Sequence, residues 1–217
     1  MDKKYSVILF DMDGTIADTD QMIVETFLYL YDKYREGRRT PIEEIYYFSG
    51  PPIRDSIKKE FPGQDVETIL KDFREKSISL YPSTVKEFPD SREVLLNLRK
   101  HGYKLGVVTN KSSDPARYCL KLLNQEDIFD ICIGFNDVKE GKPSPEGILK
   151  AIEALGEKDI SKAIYIGDNK VDIVSADNAG IDSILVTWGP REVDPTIKAT
   201  YKVNNFKQLE GVFIDGK

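Results

Sequence analysis

The chain has one histidine, His101, and two cysteines, Cys119 and Cys132, among 217 residues. One histidine rules out a His-cluster metal site and leaves at most one imidazole for acid–base work. Two cysteines do not make a disulfide framework, which points to a reducing compartment. Basic charge is also short: 31 Lys+Arg against 37 Asp+Glu give a net charge of −6, so there is no basic footprint for nucleic acid. Long apolar runs are missing. The four-residue stretch Val7–Phe10 after Met1-Asp2-Lys3-Lys4 is shorter than the roughly 7–15 apolar residues of a signal peptide. Other runs, such as Ile184-Leu185-Val186, fall far below the ~20 of a membrane span. The expectation is a soluble, cytoplasmic protein with neither a nucleic-acid nor a membrane partner. A composition of 40% apolar and 31% charged residues is globular, and the length suits one α/β domain with or without a small insert. Chemistry must come mainly from carboxylates, lysines and hydroxyls.

Short, nearly continuous apolar runs, as in central parallel strands, occupy Tyr5–Phe10, Lys104–Thr109, Ile131–Ile133, Ala163–Ile166 and Ser183–Thr187, with Tyr201–Val203 as a weaker edge candidate. Helical patterns lie between them, at residues 90–101 (Val94, Leu95 and Leu98 on one face, Gly102 following), 115–123, 145–155 and 171–179. Strands alternating with helices predict a doubly wound parallel sheet. One segment breaks the alternation. Gln21–Glu36 carries Ile23, Phe27, Leu30 and Tyr34 at helical spacing, and Ile42–Phe48, Pro52–Phe61 and Val66–Leu80 continue as helices, punctuated by Pro41, Gly50-Pro51-Pro52, Pro62-Gly63 and Pro82. A structureless loop of that length is uncommon in a compact domain, so a helical insert is expected, with hinges near Thr15–Asp20 and Ser83–Phe88. The division reads as a core of residues 1–16 and 86–217 and a helical cap of residues 17–85. No internal repeat or low-complexity tract is present.

In open α/β sheets, ligands sit beyond the carboxyl ends of the strands. Here those ends are polar: Asp11-Met12-Asp13-Gly14-Thr15, then Thr109-Asn110-Lys111, then Lys142 in Gly141-Lys142-Pro143, then Gly167-Asp168-Asn169 with Asp172 four residues after Asp168. Each alone has another reading as a cap, a turn or a solvated lysine, a reading weakest for Asp11–Thr15 and strongest for Lys142. Four at successive strand ends are not coincidence. Clustered carboxylates raise one another's pKa, and a hard divalent cation such as Mg²⁺, which takes oxygen ligands and bridges to phosphate, resolves the repulsion. An ammonium and backbone N–H groups at a helix start then suit phosphate oxygens. The set points to phosphoryl transfer.

In this order and spacing, Asp11-x-Asp13-Gly14-Thr15, Thr109-Asn110, Lys142 and Gly167-Asp168-x-x-x-Asp172 resemble the haloacid dehalogenase-like phosphatase superfamily along most of the chain. The insert is similar to the cap of the family's first subclass. The resemblance implies a Rossmann-like core, Asp11 as nucleophile through an aspartyl-phosphate, and Asp13 as the acid that protonates the leaving oxygen and then the base for water. It implies Mg²⁺ held by the Asp11 side chain, the Asp13 backbone carbonyl and Asp168, with Asp172 in a second acidic position, near the metal or orienting Lys142. Thr109, Asn110 and Lys142 are implied to hold the phosphoryl oxygens. Asn169 and Lys111 are left between the site and a loop-shaping role.

Asp13 favours a phosphatase, because dehalogenase members lack this second acid and phosphonate-cleaving members carry a small residue there. Ser49-Gly50-Pro51-Pro52-Ile53-Arg54 resembles the Gly-x-Pro turn of phosphoglycolate phosphatases and their pyrophosphatase relatives, and lacks the Ser-Arg pair of the sugar-phosphate mutases. The expected substrate is a small phosphorylated metabolite, phosphoglycolate-like. Inorganic pyrophosphatase is the alternative; a phosphomutase or a non-catalytic phospho-acceptor module are weaker ones. Gly50 and Arg54 are the candidate specificity residues, Arg54 either as a fork for an anion or as a surface helix arginine. Tyr46, Tyr47 and Phe48 read as pocket lining or cap core. His101, at a helix end, suits the helix dipole better than catalysis.

Overall fold

A computed structural model of the chain describes residues 4–35, 39–192 and 194–214. The expected N-terminal stretch Met1–Lys3 and the last residue of the Gln21–Glu36 helix, Glu36, lie outside these. Among the described residues a parallel sheet of six strands forms in the order β5-β4-β1-β6-β7-β8. The strands are β1 (Val7–Phe10), β4 (Lys104–Val108), β5 (Ile131–Ile133), β6 (Ala163–Gly167), β7 (Asp182–Val186) and β8 (Tyr201–Val203). All six are readable as apolar runs; Tyr201–Val203 is an edge as expected, whereas Ile131–Ile133, read as a central strand, is the other edge and only half-buried at Ile131 and Cys132. The central strand β1 is buried at every position and pairs with β4 on one side and β6 on the other.

Side chains alternate across the pleat. Ile8 and Phe10 enter one apolar cluster with Leu105, Val107, Ile164 and Ile166. Val7 and Leu9 enter another with Tyr165, Ile148 and Ala176. Helices α5 (Ser91–Lys100), α6 (Ser113–Leu122) and α9 (Phe206–Ile214) cover the first face, and α7 (Glu146–Ala154) and α8 (Lys170–Ala179) cover the second. Full burial of each such Ile or Leu contributes roughly 1.5–3 kcal/mol. Helix α9 was not expected from sequence. It buries Phe206 and Leu209 and is tied to α5 by Asn97 Nδ2 donating to Glu210 Oε1 at 2.6 Å.

The segment between β1 and β4 is helical, as expected: α1 (Asp20–Tyr34), α2 (Ile42–Ile45) with a 3₁₀ turn at Tyr46–Phe48, α3 (Ile53–Glu60) and α4 (Val66–Thr84). It has its own apolar cluster, including Phe27, Leu30, Tyr31, Ile57 and Phe61. Tyr31 and Arg35 both donate to Glu60, at 2.9 and 2.7 Å. Helix α4 runs past the expected stop at Leu80 and takes Pro82 into its last turn. The missing N–H of Pro82 leaves the Ile78 carbonyl without its intrahelical partner, and the Thr84 hydroxyl donates to the Leu80 carbonyl at 2.7 Å. The two connections to the core pair with each other. β2 (Ala17–Asp18) and β3 (Lys86–Glu87) form an antiparallel ribbon, too short for a sequence signal, at the two positions read as hinges. No described helix is long and apolar enough to cross a membrane.

Candidate active site

Asp11 is the first residue beyond β1. Its backbone N–H still continues the ladder, donating to Ile166 O at 2.8 Å, so the strand fixes where the carboxylate starts. The chain then turns sharply, with the N–H groups of Ile16 and Ala17 both donating to Met12 O at 2.9 Å. Gly14 stands in this turn at φ +80°, and a Cβ there would come within 2.5 Å of Asp168 Oδ2. Only glycine combines that backbone with so close an approach.

The four motifs converge as expected. Asp11 is 1% exposed, and its Oδ1 lies 2.7 Å from Lys142 Nζ. The same ammonium donates to Asp172 Oδ1 at 2.6 Å and to Tyr165 Oη at 3.0 Å. Tyr165 in turn donates to Val108 O at 2.6 Å. Asp172 also closes a capping box at the start of α8: its Oδ2 accepts from Asn169 N at 2.9 Å, and Asn169 Oδ1 accepts from Val171 N at 3.2 Å. A Cβ on Gly167 would fall 2.3 Å from Asp172 Cγ, so the glycine makes room for this carboxylate. Thr109 is buried at the end of β4, and its Oγ1 accepts from Lys111 N at 3.2 Å.

Asp13 is held differently. Lys111 Nζ donates to both its carboxylate oxygens, at 2.6 and 2.8 Å, and Thr19 Oγ1 donates to Oδ1 at 2.9 Å. The side chains that approach as a metal-capable cluster are Asp11, Asp168 and Asp172, each offering an oxygen within 4.8 Å of the others. The Asp13 carboxylate is not among them.

Burial sets the electrostatics. It pushes the Asp11 carboxyl up to about 6 against the pull of Lys142, with Asp172 adding repulsion. Asp168 is likewise pushed up to about 6 by burial, opposed by Arg191. Asp172 is also raised, burial again leading. Burial alone lowers the Lys142 ammonium, but Asp11 and Asp172 outweigh it and hold it well above its usual range.

Arg191 is the residue the motifs did not signal. Its Nη2 lies 2.6 Å from Asp168 Oδ2 and 3.7 Å from Asp20 Oδ1. Asp20 is itself pushed up to about 6 by burial. Arg191 lies in the loop after β7, on the same side of the sheet as the other motifs, which is the one signal that pointed to it. Tyr165, Thr19 and Asp20 were also missed. Lys111, which the sequence leaves between two roles, is placed against Asp13.

The residues present fit a divalent cation. Four buried carboxylates, Asp11, Asp20, Asp168 and Asp172, face two cations, Lys142 and Arg191, and the deficit is the charge of one Mg²⁺. Asp11 Oδ1 and Asp168 Oδ2 have no donor aligned for a hydrogen bond despite their ion-pair distances. Hard, under-neutralised oxygens are what Mg²⁺ selects.

The helical segment closes over this floor. Asn110 Nδ2 donates to Gly50 O at 3.0 Å and to Lys142 O at 3.1 Å, while Asn110 Oδ1 accepts from Lys142 N at 2.8 Å. Arg191 Nη1 donates to Ser49 O at 3.3 Å, and Asn169 Nδ2 to the same oxygen at 3.4 Å. Gly50 has φ +106°, and a Cβ there would stand 2.7 Å from Asn169 Nδ2. Between floor and helices lies a cavity of about 360 Å³ reaching Asp11, Asp13 and Thr109. Arg54 lines it at the exposed rim, where its Nη1 also pairs with Glu67 Oε1. Phe48 serves both expected roles, in the cap cluster and on the cavity wall. Tyr47 is exposed, and Tyr46 packs on the cap cluster. His101 Nδ1 meets Asn97 O at 2.9 Å at the end of α5, away from the cavity lining.

Comparison with known proteins agrees with this geometry. Residues 8–186 match the model of the haloacid dehalogenase-like hydrolase family. A protein of Halalkalibacterium halodurans named pyrophosphatase PpaX is 34% identical over 192 residues, covering 87% of this chain and 86% of its own. A solved Bacteroides fragilis protein, described as a candidate haloacid dehalogenase-like hydrolase, superposes with a TM-score of 0.87 at 28% identity over 95% of this chain and 100% of its own. A candidate phosphoglycolate phosphatase of Lactobacillus delbrueckii subsp. bulgaricus superposes at 0.82 with 26% identity, over 96% and 98%. The chain belongs to the haloacid dehalogenase-like hydrolase family and is a hydrolase of phosphoric esters.

Proposed function

We propose that this enzyme is a Mg²⁺-dependent phosphatase that hydrolyses a small organic phosphomonoester through an aspartyl-phosphate on Asp11. The observation that carries the reading is the pairing of two differently held acids. Asp11 is buried and addressed by Lys142 alone, whereas Asp13, two residues on, is gripped through both oxygens by Lys111.

Asp11 Oδ attacks phosphorus and the ester P–O bond breaks. Asp13 delivers a proton to the departing alcohol, then takes one from the water that attacks the aspartyl-phosphate. Inorganic phosphate leaves and the Asp11 carboxylate is restored. Lys142 and Thr109 hold the phosphoryl oxygens, with Asn110 fixing the Lys142 loop. Lys111 orients Asp13, and Asp172 orients Lys142. Asp11, Asp168 and the Asp13 backbone carbonyl would hold Mg²⁺, with Asp172 beside them. The ion supplies charge neutralisation that lets a phosphoryl dianion approach a carboxylate. Residues 17–85 act as a cap that excludes water during the transfer, with Gly50 setting how closely its loop approaches and Arg54 at the rim. The two free cysteines, Cys119 and Cys132, suit the cytoplasm.

The test is phosphate release over many turnovers, with and without Mg²⁺, by the parent and by Asp11→Asn. Turnover by the parent, abolished in a folded Asp11→Asn, is expected; an active Asp11→Asn removes the nucleophile assignment. Pyrophosphate hydrolysis is the second reading, favoured by the name of the Halalkalibacterium halodurans relative. Kinetics on both substrates separate the two.

A further inference from the structure

The cavity above the reacting carboxylates has walls that suit neither pyrophosphate nor glycolate. Beyond Asp11 and Asp13 it is lined by Met22 and Ile23 of α1, Phe48, and Leu70, Phe73 and Ile78 of α4. Met22, Ile23 and Leu70 are each under 5% exposed, so these are fixed walls rather than a loose surface. The cations on the lining are Lys111, Arg54 and Arg74. Lys111 is committed to Asp13, and Arg54 lies at the exposed rim, paired with Glu67. Arg74 sits exposed on α4. A second phosphoryl group, or the carboxylate of glycolate, would be desolvated against apolar walls with no uncommitted buried cation to receive it, and burying an unpaired charge is costly. The volume falls within the range of organic-ligand sites, which are mostly apolar with a few placed polar groups.

Resting on the phosphatase reading, we infer that the leaving alcohol carries an aliphatic or aromatic body that packs between α1 and α4: the substrate is an amphipathic phosphomonoester. The phosphoryl end sits at Asp11, Thr109 and Lys142. The ester oxygen faces Asp13, and the apolar body fills the space toward Phe73 and Ile78.

The experiment is a series of ethyl, propyl, butyl and pentyl phosphates, whose leaving alcohols have nearly equal reactivity, with 2-phosphoglycolate and pyrophosphate alongside. kcat/KM is expected to rise about fourfold per methylene, the factor for burying one CH₂, and to exceed that for both anionic compounds. Ile78→Asn, at a position 43% exposed and therefore tolerant of the change, should reduce the slope of the series. That slope is a ratio within one variant and does not depend on its overall activity. A flat or falling series, a preference for pyrophosphate or phosphoglycolate over every alkyl phosphate, or an unchanged slope in Ile78→Asn overturns the substrate class while the phosphatase stands. Failure to release phosphate from any compound overturns the phosphatase reading itself.

Discussion

Arg191→Met should weaken the metal-free protein and strengthen its grip on Mg²⁺. The guanidinium stands 2.6 Å from Asp168 and 3.7 Å from Asp20, both buried and both already raised to about 6. Deleting one partner of a buried pair costs about 3–5 kcal/mol if the remaining charge cannot escape. Here it escapes by taking up a proton. At about pH 7.5, protonating a carboxyl of pKa about 6 costs roughly 2 kcal/mol. The loss is therefore capped at roughly 2 kcal/mol for Asp168 and roughly twice that if Asp20 follows. With Mg²⁺ bound, Asp168 has a new counter-charge and its share of the loss disappears. Linkage then requires the variant to bind Mg²⁺ more tightly by the same roughly 2 kcal/mol, about 30-fold. Urea unfolding with and without Mg²⁺, and titration calorimetry of Mg²⁺ into both proteins, read the two sides of this cycle. Arg191→Lys, which keeps the charge, should stay close to the parent. Equal or weaker Mg²⁺ binding by Arg191→Met refutes the reasoning: Arg191 would then hold Asp168 in place for the ion rather than compete with it.

Two further outcomes follow from burial and from the backbone. Asp11 and Asp168 are raised by burial to about 6. Proton uptake therefore stabilises the folded metal-free state at low pH, and this contribution is lost as pH rises from about 4 to about 6. Mg²⁺ needs the ionised forms, so the rise in melting temperature on adding it should be much larger at pH 7.5 than at pH 5; equal rises refute the assignment of these carboxyls. Gly50→Ala places a Cβ at φ +106° and 2.7 Å from Asn169 Nδ2. It should cost roughly 1–2 kcal/mol, lower the melting temperature by a few degrees and raise KM by loosening the cap loop. An unchanged KM and melting point would show that the loop does not depend on that contact.

The fold was legible because each central strand is buried on both faces. Val7 to Phe10 must be apolar without interruption when alternate residues face different clusters, and the same holds for β4, β6 and β7. The parts that escaped are those whose stability is tertiary. The β2–β3 ribbon has two residues on each side and exists only because the helical segment brings its ends together. In α9, Phe206 and Leu209 are buried against a sheet whose far edge is β8, but Gly211 and a short apolar pattern hide the helix. The candidate site divides in the same way. Asp11, Thr109, Asp168 and Asp172 are legible because each stands beside a strand end or helix start, where position follows from local structure; Lys142, in the loop between β5 and α7, is legible only through the ordered motif it completes. Arg191 and Asp20 are not, since what brings them to Asp168 is a long loop and a cap helix, and neither has a periodicity.

The way the cap is docked bears on how it works. Its interior is apolar, built on Phe27, Leu30, Tyr31 and Phe61, so that deforming it would expose that core whereas displacing it whole would not. Its loop meets the core instead through backbone carbonyls: Gly50 O takes Asn110, while Ser49 O takes both Asn169 and Arg191. The two amide bonds are each worth only about 0.5–1.5 kcal/mol net, because water replaces them when they break, and the charged Arg191 bond about 1.5–3 kcal/mol. Apolar contact at this junction includes Met22 and Tyr81, which join the core cluster from α1 and α4 together with Leu80 and Val85, next to the β2–β3 ribbon. Rotation about the ribbon would therefore part the hydrogen-bonded loop while leaving the apolar base packed. One of the bonds it breaks belongs to Arg191, the same side chain that neutralises Asp168. Any opening of the proposed cap would thus be joined to the charge state of the proposed metal site through one guanidinium, which meets both Ser49 O and Asp168.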